Sequence, residues 1–152
     1  MPIKPENRKR YPANWPEVRA AILERAGNCC EQCKVKNGQI IARGAGPFAG
    51  TYQTDEAEVH DAETGEHIAQ VRMSEYQVKN MVEIVLTIAH LDHQPENCDP
   101  ANLRAWCQMH HLRYDAAHHA ETSRATRRER LAVADMFGDE PATRAAAQGE
   151  KA

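Results

Sequence analysis

Hydrophobic positions fall into three kinds of spacing along the chain. Between residues 14 and 27, Trp15, Val18, Ile22 and Leu23 recur at the spacing of one helix face. Asn14 stands at the N-cap position, Pro16 in the first turn and Gly27 just past the end, so the segment predicts a helix that faces a core. A short apolar run at 39–42 follows Asn37-Gly38, a pair suited to the type I′ turn of a hairpin. The segments EVHD and HIAQVRM on either side of AETGE predict a second hairpin, whereas 43–56 is glycine-rich and reads as irregular. The clearest strand is 81–90, where Val82, Ile84, Val85, Leu86 and Ile88 are mostly β-branched. It leads into the polar loop HLDHQPENCDPAN, punctuated by Pro95 and Pro100. Asn102 is placed to cap a helix opening at Leu103, and a further helical run extends from 108 past 130, with Leu131, Val133, Met136 and Phe137 as an apolar stripe near its end. Residues 1–13, broken by Pro2, Pro5 and Pro12 with basic residues between, predict an irregular basic arm. Residues 138–152 hold almost no large apolar side chain and predict a disordered tail.

Composition changes this picture in two ways. At 152 residues the chain suits one modest domain, 14–137, with its arm and tail, but aromatics are only 5%, so the core needs a staple. Nothing resembles a membrane span or a charged-then-apolar leader, which points to a cytoplasmic protein with no membrane partner. The net charge of −3 conceals an uneven distribution. Residues 55–66 carry six carboxylates and no Lys or Arg, while basic residues crowd the N-terminus and the stretch from Arg104 onward. Such local basic surface permits a nucleic-acid partner, and the acidic segment would face away from it or restrain access.

Six of the eight histidines lie between residues 90 and 119, with His60 and His67 isolated among carboxylates as ordinary surface residues. Five cysteines, two of them adjacent, suit a disulfide framework poorly. Cys30 and Cys33 in CxxC spacing, matched by Cys107 and His110 at the same spacing, predict a four-ligand structural Zn²⁺ site, since two ligands three apart on a tight turn face one ion. Cys29 and Cys98 are spectators in this reading. The metal would pin the base of the long segment between Cys33 and Cys107 and add its binding energy to folding.

A strand ending in His90, a loop ending in Asn102-Leu103, and Cys107-Gln-Met-His110-His111 together resemble the HNH endonuclease family of phages and bacteria. The match covers Cys30/Cys33 and residues 82–119, leaving the insertion at about 43–80, the arm and the tail outside it. The resemblance implies an α+β, ββα-metal, treble-clef-like zinc-stabilised domain with flanking helices and an inserted hairpin. It implies hydrolysis of DNA phosphodiester bonds by one divalent ion such as Mg²⁺, with His90 as general base and Asn102 bracing the loop. His111 matches the helix-borne ligand of the catalytic ion. Asp115, four residues on, lies on the same helix face as a second ligand. The family places Asp or His just before the base, where this chain has Ala89. Either Asp92 supplies the missing ligand, or Asp92-His93 is itself the pair with His93 as base. Spacing favours His90, twelve positions before Asn102, with Asp92 or His93 assisting the metal. Arg104 and Arg113 would hold the DNA backbone. Two other classes compete: a catalytically silent zinc module that binds nucleic acid, suggested by Ala89, and a zinc-stabilised protein-interaction domain.

Overall fold

The computed structural model describes residues 5–136, with side chains from 7 to 132, as an α+β structure of antiparallel sheets and two α-helices. The expected tail, and Val133, Met136 and Phe137 of the expected stripe, fall outside the described side chains. Among the described residues no helix is long and apolar enough to cross a membrane. The described residues fall into two compact units that divide between Tyr114 and Asp115.

In the first unit, helix α1 (Trp15–Arg25) forms as its apolar spacing demands, and Ile22 is buried with Leu103 and Ala105. Asn14 makes no side-chain cap; its carbonyl instead accepts from the Val18 amide at 3.1 Å. A five-stranded antiparallel sheet follows, built from β1 (Ile40–Gly44), β2 (Thr51–Gln53), β3 (Glu58–Asp61), β4 (His67–Gln70) and β5 (Val78–Glu83) in the order β4-β3-β2-β1-β5. The insertion is thus more than one hairpin. Residues 43–56, expected to be irregular, supply β2, and β1 pairs with both β2 and β5. The second sheet is the hairpin of β6 (Leu86–His90) and β7 (Leu103–Cys107), which leads directly into helix α2 (Gln108–Met136).

Four further expectations need correction. Residues 5–10 form a 3-10 turn rather than an irregular arm. The expected strand at 81–90 is broken at Ile84 and Val85, where the chain leaves one sheet and enters the other. At the break the Leu86 amide donates to Asn37 Oδ1 at 2.9 Å, a side chain standing where a strand neighbour would be. The helix expected from Leu103 is strand β7, whose burial alternates through Leu103, Ala105 and Cys107, and the helix begins at Gln108. Gly38 has φ +75° while Asn37 is not left-handed, so the turn is type II rather than type I′.

One core cluster packs Val35, Ile41, Tyr52, Ile84 and Leu86 around Cys30, Cys33 and Cys107. A small apolar core is therefore centred on thiols. The second unit continues α2 as a helix of mostly exposed residues, Leu131 among them.

Candidate metal centre and histidine pair

Residues 28–36 fold back on themselves because the Cys30 amide donates to the Val35 carbonyl at 2.9 Å and the Lys34 amide to the Cys30 carbonyl at 2.9 Å, with Lys34 left-handed at φ +59°. This turn presents Cys30 and Cys33 on one side. Strand β7 delivers Cys107, and the first turn of α2 delivers His110. All four are buried, and their ligand atoms lie within 4.8 Å of one another. Cys33 Sγ is 3.9 Å from Cys107 Sγ; His110 Nδ1 is 3.7 Å from Cys30 Sγ and 3.3 Å from Cys107 Sγ. A tetrahedron with Zn–S bonds of about 2.3 Å has edges of about 3.8 Å, so the donor set fits zinc. The cysteines are all free, and at 3.9 Å the sulfurs of Cys33 and Cys107 are in contact without a bond between them.

Local electrostatics favour the same occupant. The thiols of Cys107 and Cys33 push the Cys30 pKa far down against burial, and His110 and the Cys107 amide add to that. Burial lowers His110, but the adjoining thiolates raise it to about 9, so the apo cluster holds a proton where zinc would hold positive charge. His110 Nε2 is buried without a hydrogen bond, and Glu63 Oε1 stands 3.6 Å from it. Glu63 also pairs with Arg113. Its own turn is pressed onto the knuckle: a Cβ at Gly65, where φ is +76°, would overlap the Cys33 carbonyl. Tyr52 donates to that same carbonyl at 3.0 Å. The acidic segment thus contacts the cluster of three cysteines and His110, which no spacing in the sequence announced.

His90 ends β6 opposite Leu103. It is only 8% exposed, with Trp15 stacked on its ring at 5.2 Å and Tyr11 edge-on at 5.7 Å. Arg10 clamps the arm over it through Glu96, Nη2 to Oε2 at 2.9 Å. Burial lowers the His90 pKa, Asp92 opposes this, and nearby His111 lowers it further. Cys98, read as a spectator, puts Sγ 4.0 Å from His90 Nε2. His111 Nδ1 lies 2.6 Å from Thr87 Oγ1, a hydroxyl that also reaches the Trp106 carbonyl at 3.3 Å. The contact ties the ring to strand β6 through Nδ1.

The loop residues divide differently from expectation. Asp92 accepts from the Gln94 amide at 2.9 Å, Asn97 Nδ2 at 2.6 Å and Asn102 Nδ2 at 2.9 Å, and these donors hold its pKa down to about 2. Both its oxygens are engaged within the loop. Asn102 also donates to the Asn97 carbonyl at 2.9 Å and accepts from the Asp92 amide at 3.2 Å. His93 is left-handed at φ +57°, its ring 5.4 Å from Tyr114. Arg104 donates to the Leu103 carbonyl at 2.9 Å, and Arg113 is paired with Glu63. In the second unit, Asp115 lies 3.8 Å from His119 Nε2, and His118 and His119 are exposed. His60 stacks on Tyr52 at 5.1 Å, half-buried, while His67 is exposed.

Comparison with protein-family models, with curated proteins and with solved structures found no match.

Proposed function

We propose that this protein is a metal-dependent DNA endonuclease of the ββα-metal type, as in the HNH family. One observation carries the reading: a hairpin and helix clamped by a zinc-type cluster hold His90 at the end of β6 and tie His111, at the helix start, to Thr87 of the same strand. His90, kept neutral by burial, takes the proton of the attacking water as general base. His111, fixed by Thr87, offers Nε2 to a divalent ion such as Mg²⁺, and that ion supplies charge neutralisation at the phosphate. Asn102 and Asp92 brace the loop that follows His90, so Asp92 acts as a loop anchor and His93 remains the alternative base. Arg104 is the remaining candidate for a contact with the DNA backbone.

A specific observation favours a second reading, a catalytically silent zinc module that binds nucleic acid. Ala89, fully buried, offers no ligand before His90, and Tyr11 and Trp15 cover the imidazole. Incubating zinc-loaded protein with supercoiled plasmid and Mg²⁺, Mn²⁺ or Ni²⁺, against an EDTA control, separates the two. Nicking that requires the added ion is the expected result; DNA binding without nicking in any metal supports the silent module.

A further inference from the structure

Away from the histidine pair, a cavity of about 350 Å³ opens between the five-stranded sheet and the first turns of α2. Its charged lining consists of Arg43, Lys79 and Arg113, joined by the amides of Asn80 and Gln108, with no carboxylate. That is a marked local excess in a chain whose net charge is −3. We propose that this cavity binds a phosphoryl group, free on a nucleotide or carried in a nucleic-acid strand.

The strongest support is Arg43. Strand β1 sets it opposite Asn80 on β5, and its guanidinium lies 6.0 Å from the centre of the Tyr52 ring. Its Nη1 is buried with no hydrogen-bond partner, and Arg43 makes no ion pair among the described residues. A buried guanidinium nitrogen left unpaired is unfavourable, and an oxyanion is the partner its planar fork matches best. Lys79 is exposed and likewise makes no ion pair among the described residues, so it adds a second uncompensated charge. Arg113 shares its charge with Glu63. Gly50, on the rim, has nothing within 4 Å of where a Cβ would stand, so the approach is open. The volume exceeds what a phosphate needs and reaches the lower end of small-ligand pockets, which leaves room for a sugar or base.

The cavity is separate from the proposed hydrolytic centre. Met109 and Arg113, four residues apart, share the helix face that lines it, whereas His111 is two residues from each and so turned by about 200°. The inference stands whether or not His90 hydrolyses anything.

The test is calorimetric titration of the full zinc-loaded chain with inorganic phosphate, a nucleoside monophosphate and a short single-stranded oligonucleotide. Arg43→Gln and Lys79→Glu are the comparisons, with zinc content and circular dichroism as fold controls. Binding of phosphate or the monophosphate, weakened roughly tenfold or more by either variant, is expected for a free-nucleotide site. Binding of the oligonucleotide alone, with a shallower salt dependence in the variants, assigns the site to a strand backbone. Lys79 is exposed, so Lys79→Glu decides even if Arg43→Gln misfolds. Absence of binding by all three probes, or binding unchanged in the folded variants, overturns the proposal. His90→Ala should leave this binding intact, which keeps it distinguishable from failure of the nuclease reading.

Discussion

At the scale of single residues, His90 is governed by what surrounds its ring. Burial beneath Trp15 and Tyr11 lowers its pKa, so protonation is harder in the folded protein than in the unfolded chain. The contribution is absent above the ordinary value of about 6.5 and becomes a penalty as pH falls through it, growing until the lower folded pKa is passed. An NMR titration should therefore place the His90 midpoint below 6.5, and a midpoint at or above that value would sink the idea that burial keeps the imidazole a free base. Gly65 is a second decisive residue, because its left-handed backbone and its contact with the Cys33 carbonyl both exclude a side chain. Gly65→Ala should destabilise the first unit by about 1–3 kcal/mol and lower its zinc affinity. Chemical denaturation with zinc titration measures both, and unchanged values would mean the turn does not support the cluster.

At the scale of elements, the sequence was most legible where one period ran uninterrupted. Helix α1 and the β3–β4 hairpin stand where apolar spacing and the turn residues put them. Strand 81–90 reads as continuous because apolar residues run straight through Ile84 and Val85, yet Val82 lies in one sheet and Leu86 in the other, and Asn37 makes the join from far away in sequence. Strand β7 carried a period-2 signal in Leu103, Ala105 and Cys107, but the local helix-start signal at Asn102 competed with it, and pairing with β6 decides the outcome. Proline spacing in the arm gave no hint that Tyr11 would meet His90, since that contact depends on Arg10 reaching Glu96. Tyr11→Ala should thus raise the His90 pKa toward its ordinary value and speed its modification by an imidazole-directed reagent. No change in either would show that the arm is not the cover.

At the scale of the molecule, a core poor in aromatic side chains is organised around three thiols and an imidazole drawn from both ends of the first unit. The paired spacings made these four ligands readable, whereas the insertion's grip on them through Glu63 and Gly65 was not, because the contacts bridge segments remote in sequence. A structural zinc site contributes on the order of 10–16 kcal/mol of binding energy to folding. Cys33→Ala or Cys107→Ala should accordingly unfold the first unit, read as lost zinc content and lost ellipticity; a variant with wild-type melting temperature and metal content would refute the staple. The hydrolytic reading is tested most directly by plasmid nicking with His90→Ala and His93→Ala, each zinc-loaded and supplied with a divalent ion. The account predicts that His90→Ala is folded and inactive while His93→Ala still cuts; cutting by His90→Ala at the wild-type rate would contradict it.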